Sequence, residues 1–221
     1  TYVIKKNNKK CVELLLTQNI KVNYKDDKLN WTPLFWATLI GNEKIINLLI
    51  EHKAKVNIKD KYGMTPLHIA SYFGYENLIK LFVQKKLRIN CYEKKYKLSP
   101  LHLAFFQENE DVIKYLIKKD ANYKVKDKFK RTLLHWACAN QKSNMVKLLL
   151  KEKINIDEKD DIGRTPLHWA VFSGDLNIVT LLIENNAKIN EEDNFQERPI
   201  TIAAFCNYSK IVAYLFKNGA R

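Results

Sequence analysis

Most of the marks by which a chain announces chemistry are missing from this sequence. No apolar run approaches the roughly 18 residues of a membrane-spanning helix. No CxxC pair occurs: Cys11, Cys91, Cys138 and Cys206 stand 80, 47 and 68 residues apart. That spacing excludes a dense disulfide framework and points to reduced thiols in a cytosolic or nuclear compartment. The start, TYVIKKNNKK, has neither an initiator Met nor a signal h-region, so the chain reads as an excised piece of something longer. Walker lysine loop, GxGxxG, HExxH and EF-hand patterns are all absent. The chain carries no detectable catalytic site and no cofactor is expected. If the full protein is an enzyme, its chemistry lies outside this piece.

Arginine is scarce too. Of 38 basic residues only Arg88, Arg131, Arg164, Arg198 and Arg221 are arginines, while 22 residues are Asn. The formal net charge of +14 suggests an acidic partner such as nucleic acid, anionic lipid or an acidic peptide. An excess of Lys and Asn is also what an AT-rich genome writes onto any solvated face, and a phosphate-reading surface draws more often on Arg. Both readings stay open, with nucleic acid the less favoured partner. At 46% hydrophobic and 28% charged, the 221 residues suit an ordered, soluble protein.

What is present is repetition. Thr32-Pro-Leu-Phe-Trp-Ala returns as Thr65-Pro-Leu-His-Ile-Ala, Ser99-Pro-Leu-His-Leu-Ala, Thr132-Leu-Leu-His-Trp-Ala, Thr165-Pro-Leu-His-Trp-Ala and Arg198-Pro-Ile-Thr-Ile-Ala, in steps of 33, 34, 33, 33 and 33. A second phrase keeps register as KVN at 21–23 and 55–57, RIN at 88–90, NID at 155–157 and KIN at 188–190. Thr or Ser before Pro sets a helix start. A short apolar helix follows, broken by Gly41, Gly74 or Gly174. A second helix comes next, as in NEKIINLLIEH, with apolar residues three and four apart. One such unit has two apolar faces and cannot close a core alone, so the units must stack as an all-α solenoid.

The TPLHxA phrase at this period resembles the ankyrin repeat. The resemblance covers the whole chain. It implies an all-α repeat solenoid of helix–turn–helix units, each with a β-hairpin-like finger, forming a single domain over 1–221. Five full repeats cover 32–64, 65–98, 99–131, 132–164 and 165–197. Residues 1–31 are a partial first repeat, and 198–221 a partial last one that stops after its second helix, as at the edge of an excised segment. One-residue insertions fall before Thr32 and Ser99, where a hairpin tip absorbs them cheaply.

Histidine and cysteine are the remaining residue types that offer chemistry. His68, His102, His135 and His168 share one place in the phrase, and stacked helix layers lie ~10 Å apart, too far for a shared metal whose ligands sit near 2.1 Å. Each is expected to bridge neighbouring turns through hydrogen bonds. Cys138 follows His135 by three residues, but it fills a small, buried position and is expected to be inert.

The resemblance also implies that partners bind a concave face built from fingers and first helices, and the aligned columns show what that face carries. Just before the cap stand Trp31, Met64, Leu98, Arg131, Arg164 and Glu197. Two residues past the Ala stand Leu39, Tyr72, Phe106, Ala139, Phe172 and Phe205. Finger tips carry Leu29, Tyr62, Tyr96, Phe129, Ile162 and Phe195. An apolar, aromatic stripe with basic residues at Arg131 and Arg164 marks an interaction site, although tip residues can instead pack on the next finger. A further column holds Trp36, Ile69, Leu103, Trp136, Trp169 and Ile202, where an aliphatic residue suffices. Its tryptophans are either half-buried filler or the edge of a groove for an extended peptide.

A narrower resemblance bears on that choice. LLHWACANQ, then TPLHWA one repeat later, then SKIVAYL at 209–215, looks like the ankyrin domain of DHHC-type palmitoyltransferases. In that family the domain grips a short Pro-containing motif of its substrates, and the matching contact positions here are Trp169 and Asn140. Two features depart from the family: the phrases fall late in the array, and no DHHC-Cys domain is present.

The expected function is a non-catalytic protein–protein interaction module. Its expected binding residues are Trp31, Met64, Tyr72, Phe106, Arg131, Trp136, Asn140, Arg164, Trp169 and Phe172. The expected partner is a protein or linear peptide, acidic or Pro-containing, bound by a monomer, with no metal. Two alternatives stand beside it. One is the substrate-recruiting arm of a membrane palmitoyltransferase, held at the cytosolic face by a region outside this piece. The other is electrostatic binding to nucleic acid or anionic lipid.

Overall fold

The structure, a computed structural model, describes residues 2–18, 20–152 and 154–221. Fourteen helices and almost no extended pairing make up these residues; the one isolated antiparallel bridge joins Lys126 and Thr132 in a finger. The chain forms an all-α repeat array that falls into two compact units, Thr1–Tyr123 and Lys124–Arg221.

The first unit holds α1 (Tyr2–Lys5), α2 (Lys9–Leu16), α3 (Pro33–Ile40), α4 (Glu43–Glu51), α5 (Pro66–Phe73), α6 (Glu76–Gln84), α7 (Pro100–Phe106) and α8 (Glu110–Lys118). Within each pair the second helix packs back on the first, and α3, α5 and α7 stack side by side. The second unit repeats the scheme with α9 (Leu133–Ala139), α10 (Ser143–Lys151), α11 (Pro166–Phe172), α12 (Leu176–Glu184), α13 (Pro199–Phe205) and α14 (Ser209–Lys217). The core is built by column. Leu34, Leu67, Leu101, Leu134 and Leu167 lie buried on the first helices. On the second helices, triplets such as Ile45-Ile46-Leu49 and Ile178-Val179-Leu182 bury one stripe, because spacings of three and four return to the same face.

A repeat is incomplete without the next one, and the repeated phrases say why. The backbone N–H of Thr65 donates to Nδ1 of His68 at 3.1 Å. Thr132 does the same to His135, and Thr165 to His168, at the same distance. An Nδ1 that accepts an N–H carries no proton, so the imidazole proton sits on Nε2. From there it donates to a carbonyl of the following finger: His68 to Leu98 at 3.2 Å, His135 to Arg164 at 3.0 Å, His168 to Glu197 at 3.1 Å. The KVN column staples from the other side. Asn57 donates through Nδ2 to the Lys86 carbonyl and accepts from the Arg88 N–H. Asn23, Asn90 and Asn190 bond their neighbours in the same way.

Two departures from the phrase have visible costs or consequences. Phe35 replaces the histidine in the first full repeat, and the Thr32 hydroxyl above it is buried without a hydrogen-bond partner among the described residues. In the last repeat Thr201 stands in the histidine place and bonds Arg198 alone, accepting its N–H and donating to its carbonyl. Gly41 and Gly74 take positive φ at the end of α3 and α5, and a Cβ there would strike Tyr75 at 2.8 Å or Asn109 at 2.6 Å.

Burial holds His68 at about 4, and lowers His135 and His168 as well. A lowered folded value means that the unfolded chain binds more protons as pH falls. Stability from these groups is therefore complete above about 6.5, the unfolded value, and is lost between about 6.5 and 4. Thermal melts followed by circular dichroism should show a midpoint flat from about pH 8 to 7 and falling through that window. Thr32→Val, which removes the orphaned hydroxyl at nearly constant volume, should hold or raise the stability, by up to about 1 kcal/mol, in the same assay.

Candidate partner-binding surface

Each finger is wound about one acidic side chain. In the second unit, Asp127 Oδ1 accepts the N–H groups of Phe129 (2.8 Å) and Arg131 (2.9 Å). Asp160 Oδ1 accepts those of Ile162 and Arg164, and Asp193 Oδ1 those of Phe195 and Glu197. The same aspartate N–H closes the turn onto the residue just before the helix cap, as in Asp160 N–H to Arg164 O at 2.9 Å. The two insertions of the sequence lengthen the loop to Asp26–Trp31 and Glu93–Leu98. In the second case the longer glutamate side chain still reaches the N–H groups of Lys95, Tyr96 and Leu98.

The second carboxylate oxygen is what the tryptophans answer. Trp136 Nε1 donates to Asp127 Oδ2 at 3.1 Å and Trp169 Nε1 to Asp160 Oδ2 at 2.8 Å. In the first unit Trp36 does the same to Asp26, and Trp31 reaches forward to Asp60 of the next finger, both at 3.0 Å. The arginines complete the hubs. Arg131 Nε lies 2.8 Å from Asp127 Oδ2, and its guanidinium stacks 4.2 Å from the Trp136 ring and 4.9 Å from Phe129. Arg164 Nε reaches Asp193 Oδ2 of the next finger at 3.0 Å, with its guanidinium 6.0 Å from both Trp169 and Phe172. Burial alone would raise the Asp193 carboxyl. The N–H groups of Glu197 and Phe195 and the Arg164 guanidinium outweigh it and hold the group below the usual carboxylate range.

The expected binding residues therefore fall into groups. In the second unit Arg131 with Trp136, and Arg164 with Trp169 and Phe172, form two successive aromatic–guanidinium rungs. Trp169 and Phe172 meet edge to face at 6.3 Å, and Phe172 is 52% exposed. Asn140 is exposed at the end of α9, where its Nδ2 donates back to the Trp136 carbonyl at 2.9 Å. In the first unit Trp31 and Met64 are half-buried, Trp31 stacking on Phe35 at 5.5 Å and meeting Trp36 at 4.8 Å. Tyr72 and Phe106 are exposed at equivalent places on α5 and α7.

The aspartates were missed from sequence, although the signal was there. In the aligned repeats Asp60, Asp127, Asp160 and Asp193 stand five residues before the cap, and Asp26 and Glu93 one residue earlier, where the insertions fall. Cys138 is fully buried, burial pushes its thiol far up, and both ring nitrogens of His135 are engaged with Thr132 and Arg164. Among the described residues no group of three or more His, Cys, Asp or Glu is placed to hold a metal, and no helix is long and apolar enough to cross a membrane.

Comparison with known proteins agrees with this architecture. The family model described as ankyrin repeats (3 copies) matches residues 1–60, 54–127, 101–193 and 163–221. An ankyrin repeat protein of fowlpox virus (strain NVSL) is 39% identical over 57 residues, which is 26% of this chain and 14% of that protein. The palmitoyltransferase AKR1 of Lachancea kluyveri is 35% identical over 57 residues, 26% of this chain and 8% of that protein. The aligned stretch is thus a small part of each relative's length.

The hubs make a graded prediction. Asp160→Ala removes the acceptor of two turn amides and of the Trp169 indole, and should cost about 2–4 kcal/mol. Trp169→Phe keeps an aromatic ring but loses the indole N–H bond, and should cost about 1 kcal/mol. Chemical denaturation monitored by circular dichroism separates the two; equal costs would refute the hub.

Proposed function

The chain belongs to the ankyrin-repeat family, and on that footing we propose that it binds an extended segment of a partner protein across the two aromatic–guanidinium rungs of its second unit. Ankyrin repeats are non-catalytic protein–protein interaction modules; which partner, and which face, is the part proposed. The observation that carries the reading is Phe172. It is a large ring, half open to solvent, beside a tryptophan and an arginine already fixed by buried aspartates. A fixed aromatic loses little freedom when it is covered, and such rings are the usual anchors of an interface.

The two arginines change the expected chemistry of the partner. Both guanidiniums are paired with carboxylates whose side chains are wholly buried, and each is itself only 21% exposed. The positive charge at this face is largely spent inside the molecule. The rungs favour an apolar or Pro-containing segment, whose rings and methylenes lie on indole and phenyl, over a strongly acidic one.

A second reading keeps the same surface and adds a context. The LLHWACANQ and TPLHWA phrases, together with the similarity to a palmitoyltransferase, support a substrate-recruiting arm for a membrane-bound protein acyltransferase. The gene sequence beyond Arg221 tests it: a DHHC-Cys motif among several apolar spans supports the arm, and their absence removes it.

Phe172→Ala should leave the stability within about 0.5 kcal/mol of the parent, because the ring is half in water. It should weaken capture of the partner by about 2 kcal/mol, roughly thirtyfold. Pull-down and titration of the captured partner measure it; undiminished binding by a folded variant would falsify the site.

A further inference from the structure

A second surface lies on the fingers of the first unit. The first finger presents Lys25 and Lys28, the second Lys59 and Lys61, the third Lys94, Lys95 and Lys97, every one exposed. Asp27 is the one exposed carboxylate of these fingers. Asp60 and Glu93 are turned inward onto backbone amides and buried, and Asp26 is likewise committed to the Leu29 N–H and the Trp36 indole. None of the seven lysines forms an ion pair among the described residues. Elsewhere, Lys80, Lys114 and Lys159 pair with Glu76, Glu110 and Glu191. Nor is lysine spread evenly over fingers: residues 191–197 have three glutamates and no lysine.

The fingers present these charges as a ladder. The Lys61 N–H donates to the Leu29 carbonyl at 2.9 Å, and the Lys94 N–H to that of Tyr62 at 2.8 Å, so adjacent fingers stack directly. Tyr24, Tyr62, Tyr92 and Tyr96 are exposed among the lysines. We infer that this edge docks an extended acidic peptide segment, with lysines pairing its carboxylates and tyrosine hydroxyls donating to them. Stacked helix layers lie about 8–10 Å apart, and an extended chain advances about 3.3–3.6 Å per residue. A carboxylate at every third residue therefore meets one finger after another.

Two features favour a peptide over nucleic acid. The Lys95 ammonium lies 4.7 Å from the Tyr96 ring centroid, covering a face on which a base would stack. The fingers also hold no arginine, the side chain suited to bidentate phosphate contacts. Against a membrane surface, the exposed rings of these fingers are tyrosines, with no exposed Trp, Phe or Leu to enter the acyl boundary.

Fluorescence anisotropy with a labelled peptide of four Glu-Gly-Ser repeats tests the assignment. Binding at about 50 mM salt that weakens steeply by about 200 mM is expected. A Lys-Gly-Ser counterpart should not bind. The charge-reversed variant K61E/K95E/K97E, checked for an unchanged melting midpoint, should lose about tenfold or more in affinity, and Phe172→Ala should lose nothing. Four results overturn the inference: no binding of the acidic peptide, undiminished binding by the charge-reversed variant, or tighter binding of oligothymidylate or of phosphatidylserine vesicles. The fourth is loss of peptide binding in Phe172→Ala, which would move the peptide to the rungs and leave the proposed function standing.

Discussion

A carboxylate taken out of water is tolerated only when its oxygens are occupied by donors in good geometry. Every finger of this protein turns on that requirement. Asp160 has two turn amides on one oxygen and an indole on the other, and Asp193 has two amides and a guanidinium. Loop shape, tryptophan orientation and arginine position are thus three answers to one electrostatic demand. Remove Asp127, and the loop loses its centre, Trp136 its acceptor and Arg131 its counter-charge together.

Because some answers come from a neighbouring repeat, the same demand sets how far order extends. Trp31 serves the aspartate of the finger after its own, and Arg164 does likewise. His68 and Asn57 add bonds in the same direction. Each repeat is therefore stabilised chiefly by what stands beside it, which is the energetic signature of a nearest-neighbour array. The buried histidines make the arrangement sensitive to acid, since a proton on Nδ1 would face the N–H it now accepts.

The repeat architecture, its helix starts and its histidine bridges were all legible in the residues, because a period of 33 aligns six copies and lets columns be compared. The tryptophans were legible only in part. Their column alternates with Ile and Leu, which suggested filler or a binding edge, and gave no sign that the N–H was already spoken for. That information sits nine or ten residues away, in an aspartate that looks like any solvated turn residue until the finger folds around it. Arg131 and Arg164 misled in the opposite sense: a basic residue beside aromatics reads as an offer to a partner, while here its charge is paired inside the molecule. The aspartates recur five residues before the cap, but which indole or guanidinium each one takes is decided only when the finger folds.

The finger ladder carries a consequence for how such a surface changes over time. The bonds joining one finger to the next run from backbone N–H to backbone carbonyl, with Leu29, Tyr62, Phe129 and Ile162 supplying the carbonyl. Four chemically different side chains stand at one structural post without disturbing it. The scaffold thus separates grammar from vocabulary: the aspartate, the cap and the histidine are constrained, whereas the tip residue can be rewritten at little cost to folding. On the proposed finger surface, a lineage can change the partner by substitution at the tips, with no need to rediscover the fold.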